Sequence, residues 1–467
     1  MPPSVADWLP DGHLAWFVLD VVAELDMSGF VGRYRADGRG GAVYDPSAML
    51  AVLLYAYCTG ERSSRRIERR LVEDVAFRVL AANQCPDHAT LARFRRRHQD
   101  AIAEVFGQLL GLCVAGGLVD AGVVAIDGTK IAANASAWAN RTRKQLAEEI
   151  LAEADAVDGA EDLGLGERRG DELPGDWSDR RDRRSRVREA LAQLDAAGAA
   201  DFESLLDQRA AKEAELGRAL PGRKPTPTGR TGKRRHANVT DPDSRMLRSG
   251  QRFVQGYNAQ AAVTGEQVIV AAEVSNAAND TTQLAPVLAA AEANLAEAGH
   301  PAAIGTVVAD AGYWSTDNAT IDTPARVLIA TTPATKGDIE VGDPRLAIRA
   351  EVLRSLDLGH ISTKTAAERM GVSQPWTRHL LHEYRRFGRD PAIVRATMDA
   401  ALAEPDNAAR YAKRKITVEP IFGQIKHNRG YRRFSRRGLI AVDGEWKLIC
   451  ATANLLKLYR HRIAATG

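Results

Sequence analysis

Apolar positions in the first 118 residues recur at three- and four-residue spacing, the period of helices that bury one face. Asp45-Pro46-Ser47 opens one such helix with a capping acid, then a proline where the missing N–H costs nothing. Met49, Leu50, Val52, Leu53 and Leu54 follow, and Gly60 ends it. Ser63 or Ser64 can cap the next, with Ile67, Leu71 and Val75 inward and Arg65, Arg66, Arg69 and Arg70 outward. Residues 86–90 form a turn and cap. A third helix starts at Leu91, with Leu91 and Phe94 inward, and Val105, Phe106, Leu109 and Leu110 continue its apolar face.

At Gly122 the period changes. Residues 123–128 are a short apolar run closed by Asp127 and Gly128, which predicts a buried strand with a carboxylate at its C-terminal end. Residues 253–263 and 267–274 are β-rich, and Thr264-Gly265-Glu266 between them makes a hairpin. A helix is expected over about 281–298. Residues 304–312 then repeat the strand, acid, glycine pattern with Asp310, and 326–330 form another short strand. Near the end, 446–459 read as a packing helix.

Two segments interrupt this alternation. Residues 141–240 are highly charged, with heptad-like Leu146, Ile150 and Leu151 and later Leu191, Leu194, Leu205 and Leu206. They predict paired helices joined by a flexible piece and ending in a linker over 221–229, whose three prolines cannot continue a helix. The second interruption covers about 343–395.

Length and composition narrow the class. A chain of 467 residues, 45% hydrophobic and 26% charged, is globular and long enough for two to four domains. No apolar run approaches a membrane span, and no basic-then-apolar leader opens the sequence, which argues against a membrane protein and against secretion. Cys58, Cys85, Cys113 and Cys450 lack metal-ligand spacing and read as reduced thiols, mostly in the core.

A net charge of +3 hides an asymmetry. Residues 406–467 hold 14 Lys and Arg against 4 Asp and Glu, so the rest of the chain is acidic overall. Residues 62–97 hold 10 Arg against 4 acids. Basic segments on an acidic chain suit a polyanion, because each phosphate contact releases a counterion; solvated helix faces are the plainer explanation.

Three acids stand out by context. Asp127 and Asp310 close apolar strands, and Glu419 lies in Val418-Glu419-Pro420-Ile421-Phe422-Gly423-Gln424-Ile425-Lys426, an amphipathic helix with Pro420 expected in its first turn. Any one aspartate after a strand is ordinarily a turn former. Together, two aspartates and a glutamate can hold two Mg²⁺ ions, or Mn²⁺, with open positions for substrate phosphates.

These residues carry a resemblance. Residues 125–130, 308–313 and 418–426, with 86–95, 241–245 and 433–438, are similar to the DDE transposases of bacterial insertion sequences, in the superfamily with a Tyr-Arg-Glu-Lys signature. The resemblance spans nearly the whole chain outside the two insertions. It implies an α/β fold: an RNase H-like catalytic core with a helical N-terminal domain and two largely helical insertions. The expected divisions are 1–118 for the helical DNA-binding domain, 119–140 with 241–340 for the core, 141–240 for the charged insertion, 341–398 for the helix-turn-helix-like insertion, and 399–467 for the completion of the core. It implies that Asp127, Asp310 and Glu419 are catalytic and bind metal, and that Lys426 contacts DNA phosphate. Tyr411 and Arg414 keep the signature's mutual spacing, but Arg414 stands five positions before Glu419 instead of four, and Lys415 takes the expected place. One residue turns a helix by roughly 100°, so only one of the two can face the site.

Residues 363–386 are similar to a helix-turn-helix. Ala367 lets two helices cross closely, Gly371 takes the turn, Val372 plugs the core and Ser373 caps the next helix. Gln374, Trp376, Thr377 and Arg378 would lead a recognition helix into a major groove. A plain helical hairpin packed on the core is the alternative. Arg93 and Arg96 near the start, and Arg432, Arg433, Arg436 and Arg437 near the end, are further DNA-contact candidates.

The expected function is metal-dependent cleavage and strand transfer at insertion-sequence ends. The expected partner is double-stranded DNA, both element ends and target. The chain is expected to act as a homodimer in the bacterial cytoplasm, at the nucleoid and away from membranes. A retired DNA-binding regulator and a different RNase H-fold nuclease are the alternatives; an intact acid triad separates the first of these from an active enzyme.

Overall fold

Side-chain caps set where the N-terminal helices begin. In the computed structural model, which describes residues 5–34, 44–142, 236–331, 344–387 and 390–466 with scattered helical residues between 145 and 213, helix α1 spans Leu14–Glu24. Helix α2 (Pro46–Cys58) opens on Asp45, whose carboxylate accepts from the Ser47 amide at 2.9 Å. Every residue from Met49 to Cys58 is buried, so α2 is a core helix on all sides. Helix α3 (Ser64–Glu73) buries Ile67 and Leu71, although the Ser63 side chain makes no cap. It stops before Val75 because Asp74 caps a separate helix, α4 (Val75–Leu80). The third helix expected from Leu91 onward is two helices: α5 (His88–Arg97), capped by Asp87, and α6 (Gln99–Ala115). The break falls at His98, which is buried beside the rings of Phe30, Tyr34 and Phe94.

Gly60 ends α2 at φ +80°, and a Cβ there would lie 2.7 Å from the Arg429 carbonyl oxygen. Arg429 is itself interior. Its guanidinium donates to Thr452 Oγ1 at 2.9 Å and to the Ile449 carbonyl at 3.1 Å. One of the basic residues counted toward the C-terminal charge is therefore a core residue.

The chain groups into two compact units, Met1–Thr129 with Asn258–Arg432 and Asp443–Gly467, and Lys130–Tyr257 with Arg433–Val442. These units cut across the five expected segments, because strands β1 (Val123–Ala132) and β5 (Arg252–Thr264) each run through a boundary.

In the second unit, β2 (Asn140–Thr142) pairs with β3 (His236–Asn238), and β4 (Arg245–Ser249) pairs with the start of β5; none of β2 to β4 was expected. Two of the resemblance blocks meet here. Asp241 accepts from the Tyr257 hydroxyl at 2.7 Å and the Gly438 amide at 3.1 Å, and Asp243 accepts from the Leu439 amide at 2.8 Å. Most of 141–240, the linker at 221–229 included, lies outside the described residues. What is described there has a small core of Leu146, Val187, Ala190 and Ala237.

The first unit holds a mixed sheet in the order β6-β5-β1-β7-β8. Strands β5 and β6 (Ile269–Ser275) are antiparallel, joined at the expected hairpin. Strand β1 is parallel to β7 (Thr306–Ala309), which is parallel to β8 (Arg326–Ile329). Helix α6 and helix α7 (Leu284–Glu297) cover the sheet with Leu110, Cys113, Leu284, Val287 and Leu288. Beyond β8 come α8 (Pro344–Asp357), α9 (Thr363–Met370), α10 (Gln374–Phe387), α11 (Pro391–Ala403) and α12 (Pro405–Gly423). The last helix, α13 (Leu439–Thr466), is twice the expected length at 28 residues. Among the described residues no helix is long and apolar enough to cross a membrane. Cys58, Cys113 and Cys450 are buried and Cys85 is exposed, none in a disulfide.

Gly60→Ala should destabilise the protein by about 1–3 kcal/mol in urea denaturation, through overpacking against Arg429. Gly107→Ala, in α6 with nothing within 4 Å of the added methyl, should instead stabilise by about 0.5–1 kcal/mol.

Candidate active site

The parallel register of β1 and β7 ends at Ile126 opposite Ala309. The next residue after each paired stretch is an aspartate, Asp127 still on β1 and Asp310 just past the end of β7, so the two emerge side by side. Strand β1 continues to Ala132, so Asp127 is not at a strand end as expected; it stands where its partner strand stops. Asp127 accepts from its neighbouring Gly128 amide at 2.7 Å, and Asp310 accepts from the Gly312 amide at 2.8 Å. Burial and the nearby Asp310 charge push the Asp127 carboxyl up to about 6, against the opposing pull of the Gly128 amide and Arg414.

Helix α12 supplies the other half. Arg414 donates to Asp127 Oδ2 at 3.1 Å, and the same guanidinium lies 4.0 Å from Glu419 Oε1. Lys415 is exposed, so of the two alternatives it is Arg414 that faces the acids. Tyr411 is half-buried on the same helix, and burial pushes its hydroxyl up while Arg414 pulls it down. Helix α12 gives way to a single π-helical turn, Gln424–Asn428, from which Lys426 donates to Thr129 Oγ1.

Pro420 is not in the first turn of its helix. Helix α12 begins at Pro405, and Pro420 lies near its end. Proline has no N–H, so the Ile416 carbonyl four residues earlier loses its helical partner; Gln267 Nε2 donates to it at 2.9 Å instead.

Sequence reasoning missed the floor of the site. Asp280 accepts from Asn258 Nδ2 at 2.6 Å and Gln260 Nε2 at 2.8 Å, and the Tyr313 hydroxyl donates to Gln260 Oε1. A Cβ on Gly128 would lie 2.7 Å from Asp280 Oδ1 and 3.1 Å from Asn258 Oδ1, so only glycine fits there. The available signal was Asn258 and Gln260, two amides at i and i+2 within a buried apolar strand.

The remaining candidates are dispersed. Arg93 and Arg96 are exposed on α5, while Arg95 between them turns inward to the Arg62 carbonyl at 2.8 Å. Arg432 is exposed and donates to the Lys426 carbonyl at 3.2 Å. In the second unit Arg433 and Arg437 are exposed and Arg436 is half-buried. Helices α8 to α10 share a core of Val352, Leu353, Leu356, Ala366, Leu380 and Leu381, and Gly371 turns between α9 and α10 at φ +65°. On α10, Gln374 is exposed and Arg378 half-buried. Thr377 is fully buried and its hydroxyl donates to the Ser373 carbonyl, so it cannot read a base.

Carboxylate oxygens are the right donors for a hard divalent cation. Burial and the Asp310 charge both disfavour charge on Asp127, and a cation beside the pair would offset them, so the pair fits such an ion. Among the described residues no three His, Cys, Asp or Glu side chains converge as a ready metal cage. Glu419, whose side chain is 56% exposed, reaches Arg414 rather than the aspartates.

Residues 3–97 match the family model of a transposase domain (DUF772), and residues 382–459 match that of a transposase DDE domain. The second match contains Glu419 and Lys426; Asp127 and Asp310 lie outside both. No curated protein and no solved structure matches the chain.

Replacing Arg414 by Leu in metal-free protein should move the Asp127 titration from about 6 to higher pH, because an opposing positive charge is lost. Carboxyl carbon NMR would follow it. An unmoved titration would separate Arg414 from Asp127.

Proposed function

We infer, for a chain that belongs to the DDE transposases of insertion sequences, that Asp127, Asp310 and Glu419 are its catalytic carboxylates and that it cuts and joins DNA at element ends. One observation carries the reading: Arg414, on the same helix as Glu419 and 4.0 Å from it, lies against Asp127, 287 positions away in the chain. An RNase H-like core is part of the same reading. It is supported by one antiparallel pair followed by three parallel strands, with the aspartates where the central parallel pair ends.

The three carboxylates would hold two Mg²⁺ ions, or Mn²⁺, and when bound such ions activate an attacking oxygen and stabilise a leaving one. In cleavage a water oxygen bonds to phosphorus at the element end. The bond from phosphorus to a 3′ oxygen breaks, and the water's proton ends on that oxygen. In joining, the freed 3′ oxygen bonds to a target phosphorus and displaces the target's 3′ oxygen, which takes the proton. Lys426 would hold a phosphate beside Thr129. Arg93, Arg96, Arg432, Arg433, Arg436 and Arg437 would contact the DNA backbone, and Gln374 and Arg378 its bases. An element has two ends, and a homodimer would bring one site to each. Four thiols, three of them buried and none in a disulfide, fit a reducing bacterial cytoplasm.

Asp310→Asn should leave binding to terminal-repeat DNA intact and abolish cleavage in Mg²⁺; retained cleavage would remove Asp310 from the chemistry. A separate variant tests recognition. Gln374→Ala with Arg378→Ala should weaken discrimination between terminal-repeat and random DNA by about 1–3 kcal/mol per lost base contact, measured by competition binding. Full sequence preference in that variant would make α8 to α10 a structural insert and return recognition to the N-terminal helices.

A further inference from the structure

We propose that Gln267, in the turn between β5 and β6, is a positioning residue for Glu419. The inference rests on the reading of Glu419 as a catalytic carboxylate. Its starting point is the proline next to that glutamate. Pro420 cannot donate to the Ile416 carbonyl, and its ring crowds that carbonyl, so the helix is open on one side there. The Gln267 side chain closes the gap from outside, at 2.9 Å.

The donor is held firmly. Gln267 has φ +61°, a conformation that a non-glycine residue keeps only where its surroundings fix it. The turn is closed by the Gln267 amide on the Thr264 carbonyl at 2.8 Å and the Thr264 amide on the Val268 carbonyl at 2.9 Å. Two residues on, Asn454 of α13 accepts from the Ile269 amide and donates to the Ile269 carbonyl, each at 2.8 Å. The amide of Gln267 is thus presented from an anchored hairpin and not from a mobile loop.

The recipient is the adjustable part of the site. Glu419 sits one residue before the proline, and a π-helical turn follows at Gln424–Asn428. The proline removes one regular hydrogen bond and the π turn shifts the following ones by a residue, so the helix direction is less tightly set around Glu419. The bond from Gln267 supplies one from the sheet that carries Asp127. It ties the glutamate's helix to the strands of the aspartates without touching any reacting atom.

The test is a double-mutant cycle on the full chain, with duplex DNA carrying the element end and Mg²⁺. Gln267→Ala and Gln267→Gly, the second free of backbone strain, should each lower the single-turnover cleavage rate on the order of tenfold, as small misplacements of catalytic groups do. Both should raise the Mg²⁺ concentration needed for half-maximal rate, with DNA affinity in the absence of divalent metal unchanged. In a Pro420→Ala background the restored amide takes the Ile416 carbonyl, so Gln267→Ala should cost nothing further. Gln267 variants that cleave like the unaltered protein, or an equal loss in both backgrounds, would overturn the inference. Glu419→Gln is the separate control: if it still cleaves, the catalytic reading of Glu419 fails, and the role of Gln267 fails with it.

Discussion

Like-charge repulsion between Asp127 and Asp310 sets the terms for the residues around them. The parallel pairing of β1 and β7 forces the two carboxylates out at the same edge, and neither strand can slip by one residue without turning its apolar side chains out of the core. Burial disfavours charge on Asp127, and charge on Asp310 disfavours it further. The fold offsets that cost with directed positive groups: the Gly128 amide, the Gly312 amide and the Arg414 guanidinium. None of the three cancels the burial of Asp127 and the repulsion from Asp310, which together push its carboxyl up to about 6.

The two aspartates and the glutamate are held in different ways. Asp127 and Asp310 stand on strands over a floor of Asp280, Asn258, Gln260 and Tyr313, which leaves no room for a side chain at Gly128. Glu419 projects, more than half exposed, from a helix interrupted by proline. The aspartates are thus fixed by the sheet, and the glutamate by its helix and by Arg414 at 4.0 Å.

Much of this was legible in the sequence, and the gaps have physical causes. Asp127 and Asp310 were legible because a strand-acid-glycine run is a local pattern. The caps at Asp45 and Asp87 are local too. His98 broke an expected helix because ring packing from residues as distant as Phe30 and Tyr34 overrode an uninterrupted apolar period. Arg414 and Lys415 could not be separated in sequence because which of them faces the acids depends on where α12 lies against β1. Asp280 and Gln267 were invisible for the same reason: each matters through a partner far away in the chain. Strands β2 and β3 are three residues each and pair with one another across a long charged insertion, and β4 is short and largely exposed, which hides its pairing with the neighbouring start of β5.

The position of α12 and α13 late in the chain has a consequence for synthesis. Chains grow at roughly 5–20 residues per second, so Asp127 leaves the ribosome up to about a minute before Arg414 and Glu419 exist. During that interval the acidic pair has no guanidinium against it. The nascent protein also lacks Trp446 and Asn454, which later bond to Gln260 and Ile269 on the sheet. A half-made chain therefore carries the acidic pair on a sheet whose last contacts have not yet been made.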